Sequence, residues 1–480
     1  MKNYLFILLF FESLFGGIIN IISSNNEAYI IANHQAHLEY GLSYPVTYMF
    51  DIPEDAQDFN AYRKYSHTDD WNLIDEKTAV DFFNGIEAVR FDYEENIAYV
   101  SVGFSVVSDT IFIRLENNNN ESIIPSFIST CEYYDNRRSV VTITADDWAD
   151  YCNEKFIQAC QNFRNFNLWY SVAIITGWIE GLDTWNDIQA QIDSGYVEPL
   201  AHSRTHPHIP YIDSESEVLG SKQDIINNLN LLNHNRSGEN EYVYAWVAPY
   251  GDYEETIDTL TSIGKYLVSR LFYYNENYFS NWDSNLNKFD PVGGSVELGN
   301  SNYWGLTDIN ELNNIFENTV NANEIYHLIT HPNILDWDDS FIWEHLEYIS
   351  NRKDIWYVGF GHLYLYHFLT DTNVGLNLKI NESKSLPYPN MIIYPNYPNP
   401  FNPSTTLRYN LFEDSFVKIT VYDMLGKVAK ELVSNYQTSG YNFVQWDATN
   451  SYGEPVSGGI YIFNIESGKY QHSTKVIFLK

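Results

Sequence analysis

Val140-Val141-Thr142-Ile143-Thr144-Ala145-Asp146-Asp147-Trp148 is the stretch on which the reading of the fold turns. The run from Val140 to Thr144 is apolar and β-branched, the composition of a buried strand. It ends on two adjacent carboxylates, which such a strand presents at the carboxyl edge of its sheet. Downstream, His202-Ser203-Arg204-Thr205-His206 carries two imidazoles four positions apart, close enough to converge on one ion. One carboxylate and two imidazoles make the three-ligand set of a catalytic zinc site, which leaves a coordination position open. The remaining carboxylate is then a candidate general base. Neither stretch is specific alone. The chain holds 63 acidic residues, so Asp-Asp pairs arise by composition, and paired histidines also serve helix faces and caps. Together, each at a strand end, they carry weight.

Outward from this pair, residues 137–370 alternate between strand-like and helix-like segments. Segments 171–176 and 242–247 read as strands, and 153–166, 185–194 and 224–232 as helices. Such alternation builds a parallel α/β layer or barrel. In barrels of parallel strands the chemistry sits at the carboxyl ends of the strands.

Thr144-Ala145-Asp146-Asp147-Trp148 followed by His202-Ser203-Arg204-Thr205-His206 resembles the first two motifs of the polysaccharide deacetylase family (NodB homology, carbohydrate esterase family 4). Those motifs are T-F-D-D-G and H-[ST]-x-x-H. Ala248-Pro249-Tyr250-Gly251 resembles the end of the family's R-x-P-Y-G motif, and Leu328-Ile329-Thr330-His331-Pro332 its late histidine motif. The resemblance covers residues 136–370 and implies an incomplete (β/α) barrel of the deacetylase type. It implies Asp147, His202 and His206 as ligands of one divalent metal, zinc by the donor set. It also implies Asp146 as general base, His331 as general acid and a backbone N–H near Tyr250 as oxyanion donor. The reaction implied is hydrolysis of an N-acetyl amide or O-acetyl ester on a polysaccharide. Taken by itself, His331 reads equally well as a core histidine at a strand end before Pro332.

Two positions depart from the family pattern. Trp148 stands where the family has Gly, and Val247 where it has an Arg that orients the catalytic carboxylate. Arg204 and Arg137 are candidate replacements for that cation. Val247 also keeps open an alternative, a non-catalytic glycan-binding or cell-surface protein that retains the fold. Ser203 has no nucleophile-elbow context and reads as a hydrogen-bonding residue, and His208 as a rim residue. Trp148, Trp246, Trp282, Trp304 and Trp337 are candidate sugar platforms, with core packing as the competing role. Asp336-Trp337 and Asn281-Trp282 are both candidates for the family's fourth motif.

The flanks read differently. Residues 1–24 are mostly apolar after Lys2 and read as a secretory leader cut near Ser23-Ser24, with an uncleaved anchor helix as the competing reading. No later stretch is long and apolar enough to span a bilayer, so the mature chain is expected to have no transmembrane helix. Residues 26–116 read as an all-β domain, 117–135 as a linker and 371–400 as a Pro- and Asn-rich linker. Segments 405–411, 417–422, 441–446, 459–465 and 474–479 read as strands of an Ig-like β-sandwich over residues 401–480. N-Y-P-N-P-F-N-P-S-T-T-L-R-Y, V-Y-D-M-L-G-K and S-G-G-I-Y-I-F resemble the type IX secretion system sorting domain. That resemblance implies the type IX machinery as a partner and export through the outer membrane of a Gram-negative bacterium, to the cell surface or beyond. The formal charge of −36 opposes nucleic acid or an anionic membrane as partner. Three cysteines cannot all pair internally; a Cys152–Cys160 bridge and plain buried thiols are both open.

Overall fold

Val140, Val141, Ile143 and Ala145, each 2% exposed or less, form the middle of a parallel sheet of eight strands. In chain order the strands are β1 (Ser139–Trp148), β2 (Tyr170–Ile174), β3 (Val197–Ala201), β4 (Ala245–Val247), β5 (Val268–Arg270), β6 (Ser295–Glu297), β7 (Ile325–Thr330) and β8 (Ile355–Tyr357). They lie in the order β5-β4-β3-β2-β1-β7-β6. β8 pairs with Ser139 to Val141 at the start of β1, and β2 pairs with β1 from Thr144 onward. Among the described residues no pairing joins β5 to β6, so the barrel is incomplete. This computed structural model describes residues 19–24, 27–32, 41–54, 58–78, 85–105, 108–117, 122–123, 125–234, 243–252, 255–270, 295–300, 305–370, 391–397, 399–411, 414–424, 426–438, 440–467 and 470–479.

Helices follow the strands. α1 (Asn153–Asn165) buries Phe156, Ala159, Cys160 and Phe163, the spacing of one helical stripe. α2 (Leu182–Asp193), α3 (Ser221–Asn228), α4 (Glu255–Ile263), α5 (Ile309–Asn321), α6 (Ser340–Ile349) and α7 (Phe360–Thr370) complete the set. Asp308 caps α5 by accepting from Asn310 N and Glu311 N. The start of α7 takes its cap from the sheet instead. Glu198 of β3, 1% exposed, accepts from Gly361 N at 2.8 Å, His362 N at 3.0 Å and Ser171 Oγ at 2.8 Å. A Cβ on Gly361 would lie 2.6 Å from that carboxylate, so the cap requires glycine.

Two antiparallel sheets precede the barrel in the same compact unit, Met1–Lys379. One contains Glu27–Ala32, Thr110–Asn117 and Phe59–Lys64; the other contains Val46–Asp51, Ile97–Val102 and Ala88–Asp92. They share an apolar core with the barrel, where Tyr134 stacks on Trp356 at 5.8 Å and Tyr366 Oη donates to Cys131 O at 2.9 Å. The stretch 117–135, expected as a linker, is corrected here. Ser126–Thr130 pairs with Val46–Asp51, and Tyr134 and Asp135 are buried. Asp135 is held by Arg90 at 2.9 Å and Arg137 at 2.6 Å. Ile19–Ser24, inside the expected leader, pairs with Glu27–Ala32; residues 1–18 lie outside the described residues, as does part of the Asn117–Asn120 run. Cys131, Cys152 and Cys160 are free and buried, and the Cys152–Cys160 bridge is not formed.

The second unit, Ile380–Lys480, packs a sheet of Met391–Tyr397, Thr405–Leu411 and Gly440–Trp446 with one of Val428–Gln437, Ser415–Asp423, Gly459–Ser467 and Tyr470–Phe478. Leu407, Ile419, Val421, Trp446, Phe463 and Val476 fill its core. Met391–Tyr397 falls inside the expected linker 371–400. It tolerates Pro395 because it is an edge strand whose register shifts between Tyr394 and Tyr397. Asn399 replaces missing backbone bonds: its Oδ1 accepts from Ile477 N at 2.9 Å and its Nδ2 donates to Lys475 O at 3.1 Å.

Candidate metal centre and active site

Groups at the carboxyl ends of β1, β3, β4, β5, β6 and β7 come together at one site. Asp147, Ser203, His206 and Tyr250 there hold φ of 79°, 67°, 53° and 57°. Such left-handed values cost non-glycine residues about 1–3 kcal/mol each and cluster at functional sites. Asp147 Oδ1 lies 3.3 Å from His202 Nε2 and 3.2 Å from His206 Nε2. Among the described residues these three are the one group of metal-binding side chains whose donor atoms gather within 4.8 Å. His202 Nδ1 is 2.8 Å from Val247 O. A carbonyl only accepts, so in the neutral imidazole Nδ1 carries the proton and Nε2 offers a lone pair. Burial, reinforced by His202, pushes the His206 pKa down to about 4, so this ring is neutral at pH 7. Burial opposes ionisation of Asp147, but the surrounding imidazoles of His202, His331 and His206 outweigh it and hold the group below the usual carboxylate range. Asp147 Oδ1 is buried and has no hydrogen-bond partner among the described residues. Electron-pair donors that face one another in this way fit a divalent cation.

The loop that presents the imidazoles is tied on several sides. Ser203 Oγ accepts from His206 N at 2.9 Å, and Glu217 Oε2 accepts from Arg204 N and Thr205 N at 2.8 and 2.9 Å. Gly177 N, after β2, donates to Arg204 O at 2.9 Å. A Cβ on Gly177 would lie 2.5 Å from that oxygen.

The cation absent at Val247 stands on the neighbouring strand. Val247 and Arg270 are Cα partners in the parallel pair β4–β5. Arg270, 3% exposed, donates through Nη2 to Asp146 Oδ2 and through Nη1 to Thr144 Oγ1 at 2.6 Å. Burial raises the Asp146 pKa, but the Arg270 charge outweighs it and the net shift is downward. Asp146 Oδ1 has no hydrogen-bond partner among the described residues. Thr144 Oγ1 also lies 3.0 Å from His327 Nε2. Burial, then Arg270, pushes the His327 pKa down to about 3, consistent with an accepting nitrogen. Arg204 and Arg137 do not serve Asp146: they pair with Asp224 at 2.7 Å and Asp135 at 2.6 Å.

His331 follows β7. Its Nε2 is 3.9 Å from Asp146 Oδ2 and its Nδ1 is 2.8 Å from Glu297 Oε1. Burial lowers its pKa, but the Glu297 hydrogen bond and the Asp146 charge outweigh that and raise it above the ordinary histidine value. Nδ1 is committed to Glu297, so the proton open to transfer is on Nε2. Tyr250, half exposed, has its ring 4.5 Å from that of His206 and stacked at 3.6 Å on that of His208 at the rim.

The sequence-derived residues Asp146, Asp147, His202, His206, Tyr250 and His331 therefore lie close together in one cluster. Sequence reasoning missed Arg270 and Glu297; the available signal for Arg270 was a charge closing the apolar run Tyr266-Leu267-Val268. As sugar platforms, Trp148, Trp246 and Trp337 are ruled out by burial. Trp337 packs on Trp343 and Phe163, while Asn281, Trp282 and Trp304 lie outside the described residues.

Residues 395–479 match the family model for a secretion system C-terminal sorting domain. No curated protein matches the chain. Solved structures that the chain matches include a putative polysaccharide deacetylase from Mycobacterium smegmatis at 11% identity and TM-score 0.36, covering 49% of this chain and 92% of that one. A family 4 carbohydrate esterase from Streptomyces lividans in complex with acetate is 13% identical at TM-score 0.28, covering 46% of this chain and 91% of that one. A family 4 pseudoenzyme from Bacillus anthracis is 12% identical at TM-score 0.28, covering 48% of this chain and 66% of that one. The motif-bearing C-terminal strands and this family match together make residues 395–479 a secretion system C-terminal sorting domain, which routes the chain through the outer membrane to the cell surface or the medium.

Proposed function

We propose that the chain is an exported metal-dependent deacetylase that hydrolyses N-acetyl amide or O-acetyl ester groups on a polysaccharide. The supporting observation is one cluster that brings the Asp147–His202–His206 trio beside two charged pairs, Asp146–Arg270 and His331–Glu297. Held by the trio, a divalent cation, zinc by the donor set, would supply a Lewis acid for the acetyl carbonyl and a more acidic water. Asp146, ionised and with Oδ1 unengaged, accepts the proton of the attacking water. His331 returns a proton from Nε2 to the leaving nitrogen or oxygen. A backbone N–H near Tyr250 donates to the developing oxyanion. A base must be ionised and an acid protonated at the same pH, and Arg270 and Glu297 push their partners in those opposite directions.

The test is acetate release from acetylated chitin oligomers, peptidoglycan and acetyl-xylan with zinc supplied. Activity is expected to depend on the metal and to vanish in Asp146→Asn; release that survives this change refutes the assigned base. Val247 motivates the alternative, a non-catalytic glycan-binding protein, which predicts affinity without acetate release. Arg270 in register with Val247 favours the enzyme.

A further inference from the structure

A buried imidazole stands behind the ion pair of Asp146 and Arg270. His327, 1% exposed, lies on β7 and is the Cα partner of Thr142 on β1 and of Ser295 on β6. Its Nε2 is 3.0 Å from Thr144 Oγ1, the oxygen that accepts from Arg270 Nη1 at 2.6 Å. Its ring lies 5.2 Å from that of Phe360 at the start of α7. An imidazole sealed in a core costs stability unless its nitrogens find polar partners, and the Thr144 hydroxyl is one. The contact joins His327 to the proposed base in three steps, from imidazole to hydroxyl to guanidinium to carboxylate.

Arg270 needs such a guide. It stands on β5, with β4, β3 and β2 between it and β1 in the sheet, yet it bonds to two residues of β1. Its guanidinium therefore spans the inside of the barrel on a long stem with many rotamers. Nη2 meets Asp146, Nη1 meets Thr144, and Nε is buried with no hydrogen-bond partner among the described residues. One of the two anchors is the carboxylate to be aimed. Thr144 is thus the anchor that orients the planar fork independently of Asp146. Thr144 is itself held on two sides. Thr330 Oγ1, 2.6 Å from Tyr170 Oη, donates to its backbone carbonyl at 3.1 Å, and His327 Nε2 meets its hydroxyl. Whichever of these last two donates, the contact favours the one staggered rotamer of Thr144 that keeps Oγ1 toward Arg270. Burial, then the Arg270 charge, keeps the His327 ring neutral, so it brings no second cation to the site.

We propose that His327 is a positioning residue: through Thr144 it aims Arg270 at Asp146 and so fixes the direction of the carboxylate's unengaged oxygen. The effect on catalysis rests on the function proposed above; the coupling of His327 to Arg270 does not. The test compares His327→Leu, which keeps the volume and loses the contact, with His327→Gln, which keeps a polar group near the place of Nε2. Acetate release from the substrates named above, with zinc supplied, is expected to lose about ten-fold or more in kcat in the leucine variant, with KM and zinc affinity within about two-fold, and to regain most of that rate in the glutamine variant. An unchanged kcat, a loss shared with KM and zinc affinity, or a glutamine variant as slow as the leucine one overturns the role. Should His327→Leu not fold, His327→Met takes its place. A double-mutant cycle read by urea unfolding measures the coupling without catalysis. His327→Leu is expected to cost less stability in an Arg270→Met background than in the parent, and additive losses overturn the proposal. Coupling in a protein whose parent releases no acetate would sink the deacetylase reading and keep the link from His327 to Arg270. Acetate release with additive losses would do the reverse.

Discussion

Arg270 stands in register with Val247 and donates to Asp146. Arg270→Met leaves the Asp146 carboxylate buried without its cation, which costs about 3–5 kcal/mol when a buried pair is broken. Urea unfolding should show that loss, and acetate release should fall with it. Adding Val247→Arg on the same background should restore part of both, since the two positions are partners at the sheet edge; no recovery in either would show them inequivalent. The pH profile follows from the two opposed shifts. On the proposed mechanism the rate is expected to fall as pH drops through the depressed Asp146 pKa, because the base is then protonated. It falls again as pH rises through the raised His331 pKa, because the acid is then spent. The working window therefore runs from below the ordinary carboxylate range to above the histidine value of about 6.5. Glu297→Gln should draw the alkaline limb of kcat/KM downward, and a limb that stays put would deny Glu297 its role. The motif residues were legible because each sits beside a strand end in its own few residues. Arg270 and Glu297 were not, because what places them is pairing between strands distant in the chain.

At the level of elements, β1 was readable from composition and from the chemistry at its end. β5 and β6 were not, being three residues each, too short for any periodicity to show. Val428–Gln437 hid for another reason: with Lys430, Glu431 and exposed Asn435 and Tyr436, it faces water too evenly to alternate cleanly. The joints between elements carry the geometry. Gly177 lets the turn after β2 touch the loop that holds both imidazoles, so Gly177→Ala must push that loop aside. Zinc affinity in a chelator competition should fall about ten-fold or more, the usual size of a disturbed supporting contact. Unchanged affinity would mean that the loop yields without moving the imidazoles. Glu198, which caps α7 across the sheet, is a joint of the same kind but serves stability, not the site.

At the scale of the whole chain, the proposed cation binding and export can be tested apart from each other. Zinc that binds the folded state alone should raise the melting temperature, by about 4 kcal/mol of stability at a thousand-fold excess over Kd. Chelation should remove this gain together with activity; a melt indifferent to zinc and chelator would speak against a site at Asp147, His202 and His206. Removal of residues 395–479 should trap the protein short of the medium and the cell surface, read by fractionation, while the trapped barrel still binds zinc.

The three thiols set a condition on the journey itself. Burial pushes Cys131 up to about 12 and Cys152 up to about 11, and raises Cys160 as well, so the finished protein offers an oxidant almost no thiolate. Before folding the same sulfurs are ordinary, near 8.5 as a rough figure, and open to cross-linking. Immunity to oxidation is thus won at one instant, and a molecule that dawdles through an oxidising compartment forfeits it.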